Sequence, residues 1–151
     1  MLDRRDLTIL DLLQRDAEMP IYRIAEAVNL SASACSRRIA ELKRLGYINR
    51  TVAVLDREKL GLGLTVFVIV RAQHSADWLD RFRQALADTP EVLECHRLTG
   101  QADYILKLAV RDIANYDTVY KALISKLAIQ DVSAHISMEV IKDALTVPVG
   151  T

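Results

Sequence analysis

The nine residues Leu64–Ala72 read Leu-Thr-Val-Phe-Val-Ile-Val-Arg-Ala, and no other run restricts the possible folds as tightly. β-Branched and aromatic side chains at this density fit the pleated surface of a strand. Successive side chains of a strand point to opposite faces. Leu64, Val66, Val68 and Val70 therefore line one side, and Phe67 and Ile69 the other, with Thr65 as the polar interruption. A sheet built on this strand needs a cover on each face, because a sheet with one wet face shows alternation of apolar and polar residues instead. The run is also far shorter than the roughly 20 residues that cross a bilayer.

The segments that follow supply one of the two covers. Ala76–Ala87 places Trp78, Leu79, Phe82 and Leu86 on one helical face, Val92–Thr99 and Asp103–Val110 are strand-like, and Ile113–Leu127 is a strongly periodic helix. Val132–Ile141 completes the order β-α-β-β-α-β, the ferredoxin-like split arrangement, in which both helices lie on one sheet face. The economical cover for the other face is a second copy packed sheet to sheet, so residues 64–141 predict a homodimer. The last strand alternates: Val132, Ala134, Ile136, Met138 and Val140 share one side, and Ser133, His135, Ser137 and Glu139 the other.

Upstream the periodicity changes. Asp3–Asp16, with Leu7, Ile9, Leu10, Leu12 and Leu13, reads as an amphipathic helix with Asp3 as N-cap and Asp6 in the first turn. Met19-Pro20 breaks it, Ile21, Ile24, Ala25 and Val28 form a short second helix ending at Asn29, and Ser31 or Ser33 caps a third. Two short helices joined by about three residues behind a longer one form a helix-turn-helix pattern. In the third helix Cys35, Ile39 and Leu42 make the buried stripe, which leaves Ser33, Arg37 and Arg44 opposite it and Ser36 and Arg38 on its flanks.

Charge supports the same reading. The chain is neutral overall, with 20 basic and 20 acidic side chains among 151 residues, yet Arg37, Arg38, Lys43, Arg44 and Arg50 face only Glu41 between positions 37 and 50. Hydroxyls and guanidinium forks near the start of an exposed helix suit phosphates and guanine edges in a major groove. Tyr47–Leu55 suggests a small β-hairpin or wing with Arg50 near its tip, and 56–63, with Gly61 and Gly63, is the candidate linker. The partition is then 1–55 for the DNA-binding part and 64–151 for the second domain.

Composition excludes several classes. With 51% hydrophobic residues, five Gly and three Pro, the chain is neither collagenous nor disordered. The start, Met-Leu-Asp-Arg-Arg-Asp, lacks a basic region leading into an apolar core, which argues for a cytoplasmic protein. Cys35 and Cys95 belong to no Cys-x-x-Cys pair and read as small buried side chains, and Cys95 and His96, being adjacent on a strand, point apart. The motif set calls for neither a metal nor a cofactor.

The whole chain resembles the Lrp/AsnC family, the feast/famine regulators of bacteria and archaea. The stretches that carry the likeness are Leu2–Leu10, Ile24–Ser31, Cys35-Ser36-Arg37-Arg38-Ile39, Ala53-Val54-Leu55-Asp56, Thr99–Lys107 and Met138–Lys142. The resemblance implies a winged helix-turn-helix on double-stranded DNA, followed by an amino-acid-sensing domain, with dimers assembling into tetramers or octamers. It also implies an effector between dimers at the loop Gly100-Gln101-Ala102-Asp103-Tyr104, facing Ser133, His135 and Ser137 on the last strand. The wing has Arg50-Thr51 where Gly-Tyr is common, and Ala128–Asp131 stands where many members have Pro-Gly-Val.

Two of these residues have a second reading. His135 either contacts an effector carboxylate or sits hydrogen-bonded at a subunit interface. Asp103 either holds an ammonium group or caps the turn after Gly100. Two other function classes remain open at this point: an architectural DNA-binding protein without an effector, and a small α+β sandwich enzyme. No Ser/His/Asp order or paired acid motif supports the enzyme.

Overall fold

The computed structural model describes residues 2–72, 75, 77–127 and 129–150, which form two compact units. One contains residues 2–54 and 141–150, the other residues 55–140.

In the first unit, helix α1 (Arg4–Arg15) starts at a capping box: the Asp6 amide donates to Asp3 Oδ1 at 2.9 Å, and the Asp3 amide donates to Asp6 Oδ2 at 3.1 Å. Helix α2 (Ile21–Ala27) follows Pro20 and is closed by Asn29 at φ 51°, the left-handed stop expected there. Helix α3 (Ala32–Arg44) is capped by Ser31, whose Oγ accepts the Ala34 amide at 3.2 Å, so Ser33 lies inside the first turn. At its far end Gly46, with φ 80°, lets the amides of Gly46 and Tyr47 turn back to the carbonyls of Lys43 and Leu42, both at 3.0 Å. Ile9, Leu10, Ile24, Ala25, Val28, Cys35 and Leu42 form the core.

Two expectations change here, for the wing and for the tail. Tyr47–Leu55 forms no paired strands; Val52, Val54 and Leu55 stand exposed. An extended segment can form a ladder only with a partner strand, and Arg50-Thr51 lacks the turn residues of a tight hairpin. Within the 56–63 linker the chain forms a hydrogen-bonded turn: the Leu62 amide donates to the Arg57 carbonyl at 2.8 Å, the Gly61 amide to the Glu58 carbonyl at 2.9 Å, and Gly61 has φ 72°. The tail after Val140 groups with the first unit instead of completing a 64–151 domain. There the Gln14 side-chain amide donates to the Val147 carbonyl and accepts the Val147 amide, each at 2.9 Å, and Val149 packs against the core.

The second unit is the expected β-α-β-β-α-β. Strands β1 (Leu64–Ala72), β2 (Val92–Arg97), β3 (Tyr104–Val110) and β4 (Ile129–Ile136) make one antiparallel sheet in the order β2-β3-β1-β4. Helices α4 (Trp78–Ala87) and α5 (Ile113–Ser125) contribute Trp78, Phe82, Ala85, Val119 and Leu123 to the core, with Val66, Val68 and Val70 from β1 and Tyr104, Leu106 and Leu108 from β3. The expected helix start at Ala76 lies outside the described residues. Strand β4 begins and ends earlier than the Val132–Ile141 alternation suggests. Its ladder is bounded by β1: the Ser137 amide donates to the Thr65 carbonyl at 2.9 Å, one residue from the start of β1, and nothing is left to pair with Met138 onward.

Register assigns the opposite sheet face. Phe67 pairs with Lys107 and His135, and Ile69 with Ile105 and Ser133, so these residues share the side without helices. Phe67, Ile69 and Ile105 are only half-buried there, while Val66, Val68 and Val70 are buried under the helices.

Candidate functional site

Helix α3 presents the basic cluster because its apolar stripe is anchored. Cys35 is 0% and Leu42 2% exposed, which turns Ser33, Ser36 and Arg37 outward. Among the described residues Arg37 has no ion-pair partner, so its five N–H donors are available to an external acceptor. Arg50 is exposed in the extended stretch after α3.

The other two arginines are engaged. Arg44 forks onto Glu41 at 2.7 and 2.6 Å, and this holds the Glu41 carboxyl below the usual carboxylate range. The pair is solvent-exposed, so it contributes little to stability. Arg38 differs: its Nη1 donates to Asp3 Oδ2 and to Asp6 Oδ1, both at 2.7 Å. Sequence reasoning placed Asp3 at the helix cap but did not reveal this pairing. Contacts across 35 and 32 positions leave no periodic trace. An open groove of about 580 Å³ runs beside these groups, lined by Leu2, Asp6, Arg37, Arg38, Glu41 and Tyr47 among others. Burial pushes the Cys35 thiol up, which disfavours the reactive thiolate.

The loop expected to bind the effector joins β2 to β3. Gly100 holds φ 110°, a conformation that strains any L side chain, and a Cβ there would meet nothing within 4 Å. Asp103 anchors the far end of the loop. Its Oδ2 accepts the Ala72 amide at 2.9 Å, its amide donates to the Val70 carbonyl at 3.0 Å, and its carbonyl accepts the Leu98 amide at 2.8 Å. Gln101 is exposed and Ala102 half-buried. Tyr104 turns its ring into the core, with centroids 4.9 Å from Phe82 and 5.4 Å from Trp78, because it sits in register with Val70 on the helix-covered face. It offers the loop backbone groups rather than an aromatic wall.

Ser133 and His135 are exposed on edge strand β4, on the helix-free face, and β1 lies between them and β3. Among the described residues, β1 thus separates these two side chains from the strand that follows the loop. A cavity on the helix side, lined by Val68, Phe82, Leu106, Tyr120, Leu123 and Val132 among others, measures only about 20 Å³. That is room for about one water, not for an amino acid.

Two family models match the chain. Residues 2–49 fit a winged helix-turn-helix DNA-binding model, and residues 65–147 fit the Lrp/AsnC ligand binding domain. The HTH-type transcriptional regulator Zrp of Zymomonas mobilis is 49% identical over 149 residues, covering 98% of this chain and 97% of its own. The crystal structure of an AsnC family transcriptional regulator from Agrobacterium tumefaciens superposes with a TM-score of 0.92 at 42% identity, over 97% of each chain. A transcriptional regulator from Neisseria meningitidis, solved as a complex with L-Met, gives a TM-score of 0.93 at 32% identity, over 98% of this chain and 97% of that one.

Proposed function

Because the chain belongs to the Lrp/AsnC family of DNA-binding transcriptional regulators, we propose that its second unit senses a free amino acid and that this effector governs how the first unit holds double-stranded DNA. The observation that carries the DNA half is the outward face of α3, where Ser33, Ser36 and Arg37, without an ion-pair partner among the described residues, stand together. These residues read base edges in the major groove; Arg44, released from Glu41, and Arg50 grip phosphates.

The effector half rests on the open side of the sheet. Two copies packed through Phe67, Ile69 and Ile105 cover what the helices leave half-buried, and further association brings the Gly100 loop of one copy to β4 of another. The amino acid then lies against the loop backbone from Gly100 to Tyr104, with Asp103 fixing the shape of the loop and supplying negative charge, and Ser133 and His135 shaping the side-chain pocket. The relative solved with L-Met supports an amino acid as the effector class. The ligand shifts assembly, and through it DNA affinity, only as far as its affinities for the two states differ. A cytoplasmic location follows from this reading, with the genome as the target.

Two measurements test it. A thermal-shift screen against the twenty amino acids should raise the melting temperature with one or a few of them. The affinity for a duplex enriched from a random-sequence pool should then change on adding that amino acid. Gly100→Trp should abolish the change while DNA binding persists. An affinity indifferent to every amino acid would favour an architectural DNA-binding protein instead.

A further inference from the structure

Arg38 shares the basic helix with the residues proposed to read DNA, yet its surroundings differ from theirs. Asp3 and Asp6 each divide their two carboxylate oxygens between two tasks. Asp3 Oδ1 and Asp6 Oδ2 accept backbone amides of the α1 capping box, at 2.9 and 3.1 Å. The remaining oxygens, Asp3 Oδ2 and Asp6 Oδ1, both accept from Arg38 Nη1 at 2.7 Å. One guanidinium nitrogen is thus held by the two residues that start α1. Among the described residues these are the side-chain hydrogen bonds that join α1 to α3, and they lie beside an open groove. The Asp6 side chain is 15% exposed and that of Arg38 34%, so the pair is shielded more than the surface ion pair of Arg44 and Glu41, at 69% and 51%. Charge-assisted bonds of this length are strong and directional.

We propose that Arg38 is a positioning residue for DNA recognition, a strut between the capped start of α1 and the middle of α3 that fixes the rotation of the face carrying Ser33, Ser36 and Arg37. This rests on the reading of α3 as the recognition helix. Arg37 precedes Arg38 by one residue, about 100° around the helix, so any roll of α3 that moves Arg38 displaces Arg37 as well. Asp3 and Asp6 are acidic groups beside the proposed DNA-binding surface, and the capping box uses only one carboxylate oxygen of each. The strut gives the other oxygen a task.

The sign of the Asp6→Asn effect is the test. Affinity is measured on a duplex enriched from a random-sequence pool and on a scrambled duplex, across a salt series, at a temperature where circular dichroism shows every variant folded. If Arg38 touches DNA and Asp6 only competes for it, Asp6→Asn frees the guanidinium and tightens binding. The strut predicts the reverse: Asp6→Asn and Arg38→Ala each weaken the enriched duplex, Arg38→Ala by about tenfold. It also predicts that the double variant is no worse than Arg38→Ala alone, because both changes break one interaction. Arg38→Lys should restore part of the affinity, and the salt slope of Arg38→Ala should match the wild type, where loss of a phosphate contact would lower it by about one. Tighter binding by Asp6→Asn, or a lowered salt slope in Arg38→Ala, overturns the proposal. So does Arg38→Ala that melts earlier yet binds as tightly when folded, since that role is stability alone. Arg37→Ala separates the two readings. If it leaves base preference intact, the assignment of α3 itself fails; if it relaxes base preference while Asp6→Asn tightens binding, only the strut fails.

Discussion

The two units of this chain differ in how much of their working surface one copy completes. In the first, α1 and α3 start at side-chain caps, Asp3 and Ser31, α2 and α3 stop at the left-handed residues Asn29 and Gly46, and the seven-residue core leaves Ser33, Ser36 and Arg37 of α3 outward. In the second, the helices bury Val66, Val68 and Val70 but leave Phe67, Ile69 and Ile105 half-open, and Ser133 and His135 stand on an edge strand with β1 between them and β3. A DNA-reading face needs only one correctly turned helix. A sensor that couples ligand to assembly can do so by dividing its site between copies, because the ligand then binds the assembled state more tightly than the separate chains.

The sharpest way to test this contrast is to damage each side of the sheet in turn. Trp78→Ala removes a side chain 1% exposed that stacks on Phe82 at 4.7 Å, and should cost about 3–5 kcal/mol in chemical denaturation. A cost below 1 kcal/mol would mean that the helix-covered face is not the core described. Phe67→Glu, on the open face, should leave the far-UV spectrum unchanged but convert dimers to monomers in light scattering, since a carboxylate buried without a partner is strongly disfavoured. A wild type already monomeric at micromolar concentration would remove the reason for a covered face.

In the first unit the effects are smaller. Ser31→Ala deletes the hydroxyl that caps α3 and should cost about 1 kcal/mol, with a parallel loss of DNA affinity. The smallest effect is a pH dependence. The Asp6 amide, aided by Arg38, holds the Asp3 carboxyl below its ordinary value of 3.8. A carboxyl lowered in the folded state contributes stability that is present above the unfolded value and lost as pH falls through the folded one. Asp3→Asn should therefore melt slightly earlier than the wild type at pH 6, and the gap should close as pH drops below about 3.8.

Sequence periodicity made the helix-turn-helix and the β-α-β-β-α-β order legible, since caps, stops and alternation are local signals that packing here reinforces. What it missed was not periodic. The Val132–Ile141 alternation continues past the end of β4 because apolar spacing does not show where the partner strand stops, and β1 starts at Leu64. The return of Val147 to Gln14 and the tie of Arg38 to Asp3 and Asp6 join residues far apart in the chain through polar atoms, which carry no hydrophobic pattern. For the candidate sites, the exposure of Ser33, Ser36 and Arg37 followed from the stripe of Cys35 and Leu42. The inward turn of Tyr104 did not follow from its loop, because it is set by register with Val70.

The contrast between a complete reading head and a divided sensor is tested most directly by calorimetry with the amino acid that gives the largest thermal shift, titrated into the wild type and into Phe67→Glu. We expect saturable heat from the wild type and none from the monomeric variant, whose helix-turn-helix still binds DNA. Equal heats from both would contradict the account, because one chain would then hold the whole effector site.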